Sequence, residues 1–166
     1  RTLFPAMIRE WRTDWSRNDL PFYYVQIANM AGGAVNPERP ASRMEIREAQ
    51  LMALKVPNTG MAVTIDIGDP KNVHFNNKWE VGRRLALIAL ARDYGRDVEC
   101  SGPVYTSSSR DGSSMKVRFD HAGGLAASSG GSIEEFAIAG SDRVFRNAEA
   151  RIVGDAVVVS SPEVKA

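Results

Sequence analysis

The hydrophobic pattern changes period near Val98, and no other feature of the chain constrains its fold as much. Before that point, helices and strands alternate. Leu3, Phe4, Met7, Ile8, Trp11 and Trp15 recur at helical spacing and define a first amphipathic helix. "DLPFYYVQIANM" reads as a strand, almost continuously apolar, as befits a strand covered on both faces. "AGGAVNPERPA" is a Gly/Pro-rich loop. "SRMEIREAQLMAL" is a second helix, with Ser42 and Glu45 spaced as a capping box. "PNTG" stops it, and "MAVTIDI" is a second buried strand. Asn76 or Asn77 starts a third helix, "KWEVGRRLALIALARDY", which Gly95 ends. Residues 85–91 are apolar nearly all round, so most of that helix is expected to be buried, with Gly82 allowing close approach to the sheet. Such an alternation implies a parallel sheet with helices on its faces.

After Val98 the period is two. "SMKVRFDHA" places Met115, Val117 and Phe119 on one face and Lys116, Arg118 and Asp120 on the other. "IEEFAIAGSDRVF" carries a turn at Gly140–Asp142, and "AEARIVGDAVVVSS" reads as a hairpin turning at Gly154–Asp155. "TSSSRDGSS" and "HAGGLAASSGGS" read as loops, so Ser107, Ser108, Ser109, Ser113, Ser128 and Ser129 are explained by loop composition. About five short antiparallel strands are expected, forming part of a sandwich. The expected class is α/β: a partial parallel sheet flanked by helices over residues 1–97, then a sandwich-like antiparallel β segment over 98–166.

Composition excludes several functions. The 166 residues carry a net charge of +1, so no strong field favours nucleic acid or an anionic membrane. No apolar run approaches the roughly 20 residues of a membrane span. The single cysteine, Cys100, allows no internal disulfide and lacks zinc-site spacing; it reads as a small buried hydrophobe. No metal or cofactor is expected. The chain opens on Arg1 directly into a helix and closes just after an apolar strand, and it is expected to be a fragment or a processed chain.

The chemistry concentrates in one loop. "DIGDPKNVHFNNKWE" follows the second strand and holds His74, one of two histidines in the chain. In an open parallel sheet, ligands bind beyond the carboxyl ends of the strands. A neutral imidazole there can take a proton from a hydroxyl nucleophile and return it to a leaving group, provided its other nitrogen has a partner. Asp66, Asp69 and Asn72 are the local candidates for that partner; the alternative is that His74 merely packs or caps a loop. Gln26 and Asn29, near the end of the first strand, could line the same crevice as substrate-binding residues. Arg83 and Arg84 could meet an anionic sugar, although charged flanks of a helix are more often paired. Glu48 and Gln50 could brace the site from the second helix. His121 lies in the β half.

The block "PNTGMAVTIDIGDPKNVHFNNKWEVGRRLAL" resembles the histidine block of the sialate O-acetylesterase-like carbohydrate esterases, a branch of the SGNH hydrolases. "RTLFPAMIREWR", "PFYYVQIANM", "REAQLMAL", "SGPVY", "FDHAGGL", "FAIAG" and "VVVSSPEVK" resemble segments of that family in the same order. The resemblance implies an SGNH-type sheet and a serine esterase that removes O-acetyl groups from sialic acid or related sugars. His74 would be its general base, and it would need no cofactor. It also suggests a periplasmic or secreted location. The family's serine, in a Gly-Gln-Ser-Asn-like motif, and its oxyanion donors lie upstream of the segments found here.

One departure matters. The family usually places an aspartate two residues before the histidine; here that position is Asn72. Lys71 stands three before, where other SGNH hydrolases carry the acid. An amide orients a ring but supplies no charge to an imidazolium. Asp69 or Asp66 could substitute if the loop folds back. The second reading is therefore a catalytically inactive sugar-binding or interaction module derived from such an esterase. The expected partners are an O-acetylated sugar and, for assembly, a complementary N-terminal half or further copies of the chain; nucleic acid and membrane are not expected.

Overall fold

The computed structural model describes residues 2–29, 42–128, 130 and 133–164. The chain divides into two compact units, residues 1–100 and 101–166. The expected class holds: a parallel pair of strands with three helices in the first unit, and a five-stranded antiparallel sheet in the second.

In the first unit, α1 (Leu3–Asp14), β1 (Phe22–Val25), α2 (Ser42–Ala53), β2 (Thr59–Ala62) and α3 (Lys78–Arg92) follow in order. β1 and β2 run parallel, from Phe22 opposite Thr59 to Val25 opposite Ala62. Alternation along β1 sends successive side chains to opposite faces. Phe22 and Tyr24 meet α1, where Phe4 stacks edge-on against both rings, at 6.3 and 4.8 Å, and Trp11 lies 5.7 Å from Phe22. Tyr23 lies on the other face, against Gly60 and near Asp93 at the end of α3. Burial pushes the phenols of Tyr23 and Tyr24 up to about 12, helped at Tyr23 by the hydrogen bond with Asp93. The Tyr24 hydroxyl donates to the Gln50 carbonyl at 2.7 Å.

Side chains, rather than further strands, satisfy the margins of this short sheet. Arg12 is buried in α1. Its guanidinium donates to the carbonyls of Leu20, Pro57 and Asn58 at 2.8, 2.9 and 3.0 Å, tying together the entries to both strands. The Gln50 amide accepts from Ile27 N–H at 2.9 Å and donates to the Val25 carbonyl at 3.0 Å. It thus acts as one peptide of a neighbouring strand along β1. Arg47 adds a bond to the Ile27 carbonyl at 3.1 Å.

Four readings need correction here. The second strand was expected over "MAVTIDI", yet β2 is Thr59–Ala62. Gln26 N–H donates to the Ala62 carbonyl, and then the Thr64 hydroxyl, not a backbone amide, takes the Gln26 carbonyl at 2.7 Å. The ladder ends there and the chain turns, with Ile65 exposed. Likewise β1 covers only the middle of its apolar run. The third helix begins after the Asn77 cap, whose side chain accepts from Glu80 N–H at 3.3 Å, but Ile88 is its only buried residue. One face packs on the sheet, while Ala86 and Leu90 are exposed. Finally, Gly82 is not a close-packing position, since a Cβ there would meet nothing within 4 Å. That role belongs to Gly60 in β2, where a Cβ would lie 2.5 Å from Ile88 Cγ2 and 2.8 Å from Tyr23 Cδ1. The loop "AGGAVNPERPA" and the side chain of Ser42 lie outside the described residues.

The second unit holds β3 (Val104–Asp111), β4 (Ser114–Asp120), β5 (Ile133–Ala139), β6 (Phe145–Val153) and β7 (Ala156–Ser160). They form one sheet in the order β3-β4-β7-β6-β5, with every pair antiparallel. Ile138, Ala150, Val157, Val159 and Val164 form its buried cluster, and Met115, Val117 and Phe119 pack against it. The hairpin at Gly154 is as expected: Val153 faces Ala156, and Gly154 has φ +65°, a conformation that favours glycine. "TSSSRDGSS" is not a loop. Its first half lies in β3, which pairs with β4 along its length around a turn at Gly112, φ +60°. β3 is an edge strand held by its ladder, so it needs no apolar face and shows none in composition.

Candidate functional site

The loop between β2 and α3 leaves the carboxyl end of the parallel pair, where the topology directs a ligand. Its shape follows from a few anchors. Thr64 is fully buried beneath the end of β1. Gly68 passes so close to Asn29 that a Cβ would lie 2.6 Å from the Asn29 carbonyl oxygen and overlap its side-chain oxygen. Phe75 is buried, with the Lys78 ammonium 3.9 Å from its ring centroid. Burying Phe75 leaves its neighbour His74 exposed.

Hydrogen bonds among the described residues reach His74 through its backbone. Asn72 accepts from His74 N–H at 2.9 Å through Oδ1 and donates to the His74 carbonyl at 3.2 Å through Nδ2. One amide thereby fixes the peptide on both sides of the histidine and leaves the ring to the solvent. Asp69 accepts from Lys71 N–H at 2.8 Å, and its carbonyl accepts from Asn72 N–H at 3.3 Å. Asp69 and Asn72 are thus joined in the tight turn that precedes His74. Gln26 is buried and its amide faces α2, donating to the Arg47 carbonyl at 3.4 Å. Asn29 faces Gly68, and its buried Oδ1 has no hydrogen-bond partner among the described residues. The structure thus gathers His74, Asn72 and Asp69 in one turn and sets Asn29 against the same loop, while Gln26 turns towards the second helix.

An ionic cluster closes the base of this loop and takes in Arg83 and Arg84, which the sequence reads as paired flanks of a helix. Arg84 donates to the Val63 carbonyl at 2.6 Å, to both oxygens of Asp66 at 2.7 and 2.6 Å, and to Glu80 at 2.8 Å. Arg83 adds two bonds to Glu80, at 2.7 and 2.8 Å. These hydrogen bonds, Arg83's first, bring the Glu80 carboxyl down to about 2, and the Arg84 bonds lower Asp66. Both carboxylates therefore add stability above the ordinary carboxylate range. For Glu80 that contribution is lost only as pH falls from 4.5 towards about 2. Asp66, one candidate partner for His74, is committed to Arg84. No cluster of metal-ligating side chains occurs among the described residues.

No protein-family model and no curated protein matches the chain. Among solved structures, a carbohydrate acetylesterase from Xanthomonas citri is 42% identical, with a TM-score of 0.88. The match covers 98% of this chain but 38% of that one, so the chain spans well under half the length of its structural neighbour.

Proposed function

We propose that these residues are the histidine-bearing portion of a carbohydrate O-acetylesterase. The observation that carries the reading is the 42% identity to a carbohydrate acetylesterase over nearly the whole of this chain. Residues 1–97 would be the C-terminal part of an SGNH-like α/β esterase domain, and residues 98–166 its β-rich extension. His74 would be the general base, taking the proton of a serine hydroxyl as that oxygen attacks the acetyl carbonyl. The resulting imidazolium would protonate the departing sugar oxygen, giving the free hydroxyl and an acetyl-serine, and a water molecule activated in turn by the imidazole would release acetate. The serine is proposed to lie in sequence beyond these residues, because no Gly-Gln-Ser-Asn-like segment occurs here. Exposure of His74 on a loop at the carboxyl end of the strands supports the role. Asn72 and Asp69 would set the histidine's backbone, and Asn29 would border the sugar. An O-acetylated sugar is the proposed substrate, with sialic acid or a related sugar as the narrower choice.

The test is acetate release from acetylated sugars by the full-length protein. His74→Ala should lower kcat about 1,000-fold or more. An unchanged rate would remove His74 from the mechanism.

One observation favours a second reading, a sugar-binding module without turnover. Asn72 replaces the expected carboxylate, and Asp66 is held by Arg84. Saturable binding of sugars by a protein that releases no acetate would decide for it.

A further inference from the structure

We propose that Arg84 is a positioning residue that sets the place of His74 by holding both ends of the loop that carries it. The inference rests on the esterase reading only where activity is the readout.

The hydrogen bonds of His74 among the described residues run through its backbone to Asn72, in the same loop, so the placing of the loop sets the placing of the histidine. A long irregular segment is costly to order, and its ends must be fixed if its middle is to stay in register. Arg84 supplies that restraint from one side chain. Nη1 holds the Val63 carbonyl, just past β2, where the loop begins. Nη1 and Nη2 hold Asp66, inside the loop. Nε holds Glu80, in the first turn of α3. The Glu80 N–H in turn donates to the Asn77 side chain, at the point where the loop ends. A single planar group thus spans strand end, loop entry and helix start.

The arrangement needs a guanidinium. Its donors point in fixed directions in one plane, which suits a bidentate carboxylate on one side and a second acceptor on another. A lysine ammonium keeps the charge but cannot reach all three partners at once. Arg83 is the internal comparison, since its side-chain hydrogen bonds among the described residues go to Glu80 alone, three residues away on the same helix.

The experiment uses Arg84→Lys, Arg84→Ala, Asp66→Asn and the control Arg83→Ala in the full-length protein. Asp66→Asn is the variant least exposed to folding failure, because the Asp66 side chain is 54% exposed. For the Arg84 variants, kcat for acetate release should fall about 100-fold with KM unchanged, since a misplacement of about 1 Å costs that much. Millimolar methylguanidinium should restore part of the Arg84→Ala rate, and Arg83→Ala should stay within about twofold of the parent. Amide exchange over residues 64–77 should rise at least tenfold in Arg84→Ala and Asp66→Asn, with β4 and β7 unaffected. A change confined to KM, an Arg84→Lys protein of full kcat, or unchanged exchange in the loop would overturn the proposal. If the parent protein releases no acetate, the esterase reading falls by itself. The clamp then stands if loop protection is lost in Asp66→Asn, and falls if it is kept.

Discussion

The two units stabilise their backbones in opposite ways. Residues 101–166 form five strands, each satisfied by the next through a continuous antiparallel ladder. Side chains there need only alternate between the buried cluster and solvent. Among the described residues of 1–100 there are two short strands, and much of the work at their margins falls to single side chains. Arg12 collects three carbonyls, Gln50 supplies both halves of a missing peptide, and Arg84 spans the loop. A ladder spreads its energy over many equivalent bonds, while a side-chain staple concentrates it at one residue. Single substitutions should therefore damage the first unit far more than the second.

The largest effect is expected at Arg12. Arg12→Met keeps most of the aliphatic stem but removes a buried guanidinium that donates to the carbonyls of Leu20, Pro57 and Asn58, of which Asn58 keeps the Phe22 N–H. Hydrogen bonds from a charged group contribute about 1.5–3 kcal/mol each, so with part of the loss made good by solvent the variant should be destabilised by about 2–3 kcal/mol. Arg146→Met in the second unit removes exposed pairs with Asp142 and Glu163 and one exposed bond to the Val144 carbonyl, and should cost at most about 1 kcal/mol. All three tryptophans, Trp11, Trp15 and Trp79, lie in the first unit, so fluorescence-detected urea unfolding reports on it directly. Equal midpoints for parent and Arg12→Met would remove the contrast.

The same difference explains what the sequence reveals. Hydrophobic period marks elements that bury a repeating face. It therefore locates the three helices, the alternation of β4 and the β6–β7 hairpin, and a local cap signal narrows the start of α3 to Asn76 or Asn77, of which the structure uses Asn77. It cannot find β3, whose exposed serines carry no apolar period and whose stability comes from pairing. Nor can it find the staples. Arg12 and the Pro57 carbonyl are 45 residues apart, and neither has a local signature. For the candidate site, order along the chain points to His74 and its turn. The partners of Asp66 and Asn72 depend on how the loop closes, which no spacing encodes. Gly82 and Gly60 show the limit most directly. Gly82 sits in a helix pattern where a glycine invites a packing explanation; Gly60 sits beside "PNT" and reads as turn punctuation. Only the packing of Ile88 against β2 tells them apart.

That pair gives the next and smaller test. Gly60→Ala forces a methyl against Ile88 and Tyr23, and overpacking of this kind costs about 1–3 kcal/mol. Ile88→Ala is itself destabilising, but the double variant should lose less than the sum of the two, because the added methyl then has room. Strict additivity in a denaturation cycle would mean that the helix does not approach the strand at this glycine.

Gly82→Ala should have the smallest effect and the opposite sign. Its surroundings are open, it lies inside α3, and its replacement adds no contact. What changes is the backbone: alanine has less conformational freedom to lose and favours the helix by up to about 1 kcal/mol over glycine. The variant should raise the urea midpoint of the first unit slightly and leave any acetate release unaltered. A fall in stability would mean that something packs closely over this face of α3 after all, which would restore to Gly82 the role that the structure assigns to Gly60.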